Sequence, residues 1–169
     1  DNSMSGAAWD QATLDDEAST TISNGQAPYL GSFRPVEALS AFDDEEMKGE
    51  WTFYVYSSTS AGGTMSSWSL IITHDNSTPT DPPTSVGTTY DGSSFTIGSN
   101  QVTTKKLTIT DTGTIKDINL KMSGSHGNIS LIDMSLISPY GTVVKLVDNS
   151  MSGAAWDQTT LDDEASTTI

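Results

Sequence analysis

The sequence predicts an all-β protein, a β-sandwich or jelly roll. Short segments alternate large apolar with polar side chains, the period-2 pattern of a half-buried strand. Turns containing Gly, Pro and Asn separate them at short intervals, as in sandwiches and jelly rolls. Composition agrees: Ser, Thr, Gly and Asn abound while Leu, Lys and Arg are sparse, the reverse of what long helices need.

The chain opens on a Ser/Gly/Ala-rich loop in which Trp9 is the one large apolar residue, expected to anchor in a core. The acidic run Asp15-Asp16-Glu17 follows, and residues 18–22 have the composition of a short strand, ended by the turn signal Ser23-Asn24-Gly25. Residues 26–42 contain Pro28, Gly31 and Pro35, which interrupt any helix, so an ordered loop pinned by aromatics is expected. A second acidic cluster, Asp43-Asp44-Glu45-Glu46, precedes Trp51-Thr52-Phe53-Tyr54-Val55-Tyr56, whose Trp51, Phe53 and Val55 share one face. Trp68-Ser69-Leu70-Ile71-Ile72 alternates in the same way, and the Gly-containing loop between the two predicts a hairpin.

Residues 75–85, DNSTPTDPPTS, hold three prolines and no large apolar side chain. Such a stretch is a semi-rigid linker and marks the one clear domain boundary. Strands are expected beyond it at 94–97, 106–110, 115–122, 129–137 and 143–147. Ile118, Leu120 and Met122 share one face, as do Met134 and Leu136, and Pro139-Tyr140-Gly141 forms a turn.

Residues 148–169 repeat residues 1–22 with a single difference, Thr159 for Ala12, at an offset of 147. Near-identity over 22 residues marks a periodic parent polypeptide. The chain is therefore expected to be a window on a tandem array, about one period plus a short overlap, beginning and ending at the same phase.

The formal charge of the chain is −15, and residues 148–169 contribute five acids and no base, so one 147-residue period carries −10. That charge excludes nucleic-acid partners, which need a basic face, and argues against docking on anionic lipid. No apolar run is long enough to span a membrane. Cysteine is absent, so disulfides and thiol chemistry play no part.

Several motifs agree, in order, with one family. Leu136-Ile137-Ser138-Pro139-Tyr140-Gly141-Thr142, then Leu161-Asp162-Asp163-Glu164-Ala165, resemble the first half of the P domain (P/Homo B domain) that follows the catalytic domain of subtilisin-like proprotein convertases and bacterial secreted proteases. The second half stands at the start of the chain: Leu14-Asp15-Asp16-Glu17-Ala18, Gly31-Ser32-Phe33-Arg34-Pro35, Leu39-Ser40-Ala41-Phe42, Gly49-Glu50-Trp51-Thr52-Phe53 and Ser67-Trp68-Ser69-Leu70. His126 and Asp133 resemble the family's histidine and its Asp-Leu pair, with Met134 for Leu and a spacing about two residues longer. The resemblance implies a jelly-roll-like sandwich and bound calcium. It also implies a circularly permuted window, in which residues 1–74 are the C-terminal part of one repeat and 86–169 the N-terminal part of the next, and in which 1–74 complete no sandwich unless the missing strands come from 86–169, another copy or a neighbouring chain. Where the family has Asp-rich turns after the strand matching Trp51–Tyr56, this chain has Ser57-Ser58-Thr59-Ser60-Ala61, which would remove or alter a metal site there.

The acidic runs are the best site candidates, because Ca²⁺ takes six to eight oxygen ligands from carboxylates and carbonyls on loops. The candidate ligands are Asp10, Asp15, Asp16 and Glu17, their copies Asp157, Asp162, Asp163 and Glu164, and Asp133. The competing reading is a solvated loop whose Asp side chains cap backbone N–H groups. Asn76 and Asn128 fit the Asn-x-Ser/Thr glycosylation pattern. His74 and His126 are the only histidines and no Gly-Thr-Ser-type nucleophile stretch accompanies them, so no catalytic residue is assigned and the chain is not expected to be an enzyme.

The leading expectation is a non-catalytic structural repeat of a long extracellular or cell-surface protein or filament. Its partners would be neighbouring repeats or identical subunits, in a covalent array or a strand-exchanged filament. The first alternative is an accessory P domain of a secreted subtilisin-like protease, which requires a catalytic domain upstream. The second is an adhesin or carbohydrate-binding module that uses Tyr29, Tyr54, Tyr56, Tyr90 or Tyr140, and an exposed aromatic strip would favour it.

Overall fold

The structure, a computed structural model, describes residues 9–25, 29–75 and 85–148. It is an all-β sandwich of two packed sheets. In chain order the strands are β1 (Trp9–Leu14), β2 (Tyr29–Phe33), β3 (Gly49–Ser57), β4 (Gly63–Asp75), β5 (Ser85–Gly92), β6 (Phe95–Ile97), β7 (Gln101–Ile109), β8 (Thr114–His126), β9 (Ile132–Ile137) and β10 (Val143–Val147). Single 3-10 turns occupy Ile22–Asn24, Leu39–Phe42 and Ile129–Leu131.

One sheet runs β2-β1-β8-β4-β5, with β6 pairing a further part of β4. The other runs β10-β9-β3-β7. The alternation of the sequence places the core between them. Trp51, Phe53 and Val55 of β3, and Met134 and Leu136 of β9, face Trp68, Leu70 and Ile72 of β4 and Ile118, Leu120 and Met122 of β8. Phe53 meets Trp68 at a ring separation of 5.2 Å, and Phe42 packs edge-on against Trp51 at the same distance.

Almost every sheet pairing joins the two sides of the 76–84 segment. β8 lies between β1 and β4, β3 lies between β7 and β9, and β5 and β6 pair with β4. Among the described pairings only β1 with β2 and β9 with β10 stay on one side. Residues 9–75 and 85–148 thus interlock as complementary parts of one sandwich. The nine residues 76–84 of the expected linker lie outside the described residues.

Several local expectations are corrected. The hairpin expected from Trp51–Tyr56 and Trp68–Ile72 does not form, because β3 and β4 lie in opposite sheets and face each other across the core. The strand expected at 18–22 is a single bridge, Thr21 to Arg34, running into a 3-10 turn. Residues 9–14, read as loop, form an interior strand. A bulge sets Trp9 opposite Gly124 and Ala12 opposite Met122, and Gln11 takes φ +53° with its N–H on Ser123 Oγ. The extra residue lets Trp9, Ala12 and Leu14 all point inward although Trp9 and Ala12 are three apart. The segment 129–131 is a 3-10 turn, and the strand expected there starts at Ile132.

Phe53 is fully buried between the sheets. Phe53→Ala is expected to lower stability by about 3–5 kcal/mol. Urea unfolding should show the midpoint falling with an unchanged slope.

Candidate functional site

The acidic run after β1 sits where β1 ends against β8. Leu14 pairs with Leu120, so the chain turns at Asp15 next to Asp117, which lies three residues before Leu120 on β8. Asp15 Oδ1 accepts the Glu17 N–H at 3.0 Å, closing a tight Asx turn. Asp16 is buried, and its two carboxylate oxygens accept the N–H groups of Leu39 and Ser40, each at 2.8 Å. It therefore caps the 3-10 turn at Leu39–Phe42 from a distant part of the chain. Asp15 and Asp16 thus both accept backbone N–H groups.

Four further acids bear on this turn. Asp43 follows the capped 3-10 turn, Glu17 projects outward, Asp117 lies beneath, and Asp44 is adjacent. A hydrogen bond with the Asp15 carboxyl, then partial burial, then the charges of Asp117 and Asp15 push the Glu17 carboxyl up to about 7. Burial, then the fields of Asp117, Asp44 and Asp16, raise Asp43 to about 6 against the opposing pull of Lys116. Burial, then Asp15 and, more weakly, Asp16, raise Asp117 as well. Lys116 supplies the counter-charge, at 2.8 Å from Asp44 and 3.6 Å from Asp75. Like charges are thus held close at the rim of the sandwich.

The other candidates lie elsewhere. The backbone of Asp10 is in the β1 bulge and its side chain lies outside the described residues, as do Asp157, Asp162, Asp163, Glu164 and Asn76. Asp133 is on β9 in the opposite sheet, beside Lys145, which also feels Asp148 and Glu37. Among the described residues no three acidic or histidine side chains are arranged to hold a metal ion. In the second acidic cluster, Glu45 bonds the Thr142 hydroxyl, and Glu46 Oε1 accepts the Gly113 N–H at 2.7 Å and the Lys48 N–H at 3.3 Å. Asn128 is exposed, and its Oδ1 accepts the N–H and hydroxyl of Ser130, at 3.2 and 2.7 Å.

Asp117 was not singled out in the sequence. Its signal was register: a charged residue one step from the inward Ile118 on a strand that reaches the acidic turn. Ser57 was missed too. Its Oγ lies 3.3 Å from His126 Nε2. Ser57 is wholly buried, and His126 Nδ1 faces the backbone of Asn128. The pair ties the β3 end to the β8 end, with the Ala61 carbonyl 3.4 Å from the same hydroxyl. His74 Nε2 meets Thr88 Oγ1 at 3.4 Å across β4 and β5.

Comparison with protein-family models, with curated proteins and with solved structures gives no match.

Both Glu17 and Asp43 bind protons more tightly in the folded than in the unfolded chain. Their contribution to stability is complete below the ordinary carboxyl range and is lost as pH rises through about 6–7. In EDTA, the thermal midpoint is expected to fall between pH 5 and pH 8. Asp117→Asn should flatten that slope by removing a charge both groups feel. A midpoint that rises over this range would contradict the assigned causes.

Proposed function

We propose that this chain is a non-catalytic structural repeat unit of a long extracellular or cell-surface protein, a P-domain-like sandwich arranged in tandem or strand-exchanged into a filament. The 22-residue duplication carries the reading, together with the work its first copy does. Trp9, Ala12 and Leu14 fill an interior strand, Ala18 and Ile22 are buried, and Asp16 caps a distant turn. A sequence kept nearly identical at a spacing of 147 residues is one each repeat needs in order to close. The pairing of 9–75 with 85–148 across the linker is that of a circularly permuted unit, as a window on such an array requires. Among the described residues no helix is long and apolar enough to cross a membrane.

Two features support a spacer role. High negative charge keeps repeats soluble and apart. The acidic rim at Asp15–Glu17, Asp43 and Asp117 is repulsive, and calcium acts in this reading as its counter-ion, at Asp15–Glu17 and at the copies Asp162–Glu164. A cation there would relieve the repulsion that raises Glu17 and Asp43. Ser57 and His126 contribute no catalysis in this reading, since the hydroxyl is enclosed and the imidazole has a peptide group where a triad carboxylate would stand.

One observation favours a second, carbohydrate-binding reading. Tyr54 and Tyr56 stand side by side on the outward face of β3, the strand between β7 and β9. Register pairs them with Thr104 and Ser135, and with Val102 and Asp133. Val102 is exposed on that face. Two neighbouring aromatic rings with flanking hydroxyl and carboxylate groups are suited to stack on sugar rings.

The structural reading is tested by the mass of the intact native material, with and without EDTA and under denaturing conditions. It expects either a very large covalent species that survives denaturation, or a subunit near 17.9 kDa that assembles without covalent bonds. A 17.9 kDa monomer under native and denaturing conditions alike would overturn it. Loss of thermal stability in EDTA is expected if calcium serves the acidic rim. Tyr54→Ala with Tyr56→Ala should abolish glycan-array binding on the second reading and change nothing on the first.

A further inference from the structure

We propose that the β1 slot of the sandwich, the groove between β2 and β8, is a docking site for residues 156–169, so that either copy of the duplicated stretch closes the fold. Residues 9–22 fill the slot in this structure. Every group that anchors them except Ala12 recurs in the second copy: Trp156 for Trp9, Leu161 for Leu14, Asp163 for Asp16, Ala165 for Ala18 and Ile169 for Ile22. A groove shaped for the first set, with the Leu39 and Ser40 N–H groups bound to the Asp16 carboxylate, is chemically matched to the second. Two copies and one slot make the occupancy a competition.

The geometry lets residues 156–169 reach the slot of their own chain. Val147 and Asp148, at the end of β10, line one cavity of about 230 Å³ together with Trp9, Ile22 and Tyr29. The chain therefore passes Asp148 at the end of the slot where β1 begins. From there it reaches Trp156 in eight steps, an extended span of up to about 26 Å. A segment entering the slot at that end would run antiparallel to β8, as β1 does from Trp9 to Leu14. No strand need reverse for 156–161 to replace 9–14.

The single difference between the copies sets their rank. Ala12 is fully buried, opposite Met122 on β8 and Gly31 on β2. Thr159 would add a methyl and a hydroxyl at that point, overfilling a packed position. The preceding copy is therefore the stronger occupant and the following copy the reserve. In a tandem array this lets a sandwich exchange the preceding repeat's strand for the following one without losing its core. The exchange rests on the repeat reading for its setting, while the slot itself is defined by the residues above.

The full chain tests this through three variants, Leu14→Arg, Leu161→Arg and both together. Leu14→Arg is expected to remain folded, with strand-type circular dichroism, cooperative melting and a Tm lower by roughly 3–10 °C because of Thr159. Leu161→Arg should match the parent, and the double variant should be unfolded. In the Leu14→Arg background, Thr160→Cys with Lys121→Cys should form an intramolecular disulfide, since Thr13 pairs with Lys121 in this structure and the chain has no other cysteine. Leu14→Arg as unfolded as the double variant would overturn the proposal, as would absence of that disulfide. A disulfide found only between two chains would overturn the same-chain assignment. None of these failures would alter the mass expected for a tandem array, so the two readings fail separately.

Discussion

The pairing of β8 with β4 is the interaction on which the rest depends. Both strands run thirteen residues, and they join the N-terminal and C-terminal sides of the linker along nearly their whole length. Met65, Trp68, Leu70 and Ile72 on one strand, and Ile118, Leu120 and Met122 on the other, form one continuous apolar wall. Once that wall exists, the free edge of β8 receives β1, the far edge of β4 receives β5 and β6, and the second sheet has a surface to pack on. The close approach of these strands is also why Gly63 and Gly124 are small. A Cβ on Gly63 would come 2.3 Å from the Ser125 carbonyl oxygen, and one on Gly124 would come 2.6 Å from that of Thr64.

Interior strands were legible in the sequence because each buries one full face. Trp51, Phe53 and Val55, or Ile118, Leu120 and Met122, leave no doubt about period or facing. Edge strands were read less completely. β6 and β10 were expected where they lie and β7 only over its C-terminal half, whereas β2, which buries only Phe33, and β5, which has no fully buried residue, were not read as strands. β1 is the instructive exception, an interior strand whose bulge at Gln11 breaks the alternation. The false hairpin has a different cause. Two amphipathic strands joined by a short loop look alike whether they pair side by side or face each other across a core, and only the partners β7, β8 and β9 decide.

The acidic run was visible, but its role turned on contacts that spacing does not encode. Asp16 satisfies backbone donors 23 and 24 residues away, contacts that no local spacing shows. Glu17 takes its raised carboxyl chiefly from a hydrogen bond with Asp15 and then from burial, and Asp43 chiefly from burial, with Asp117, which register brings near, adding to both. The duplication, by contrast, was fully legible, and the structure gives it physical content: the repeated residues are those that complete a sheet and cap a turn.

The central claim is that residues 9–75 and 85–148 of one chain close a single sandwich. Because the chain has no cysteine, one engineered pair outside the duplicated stretch tests it: Thr52→Cys with Lys106→Cys, which face each other across β3 and β7. Oxidised at low concentration, the variant is expected to form an intramolecular disulfide in near-complete yield and to run as a monomer. Disulfide-linked dimers and higher species in place of that monomer would show that the strands belong to different chains, and the account would fail.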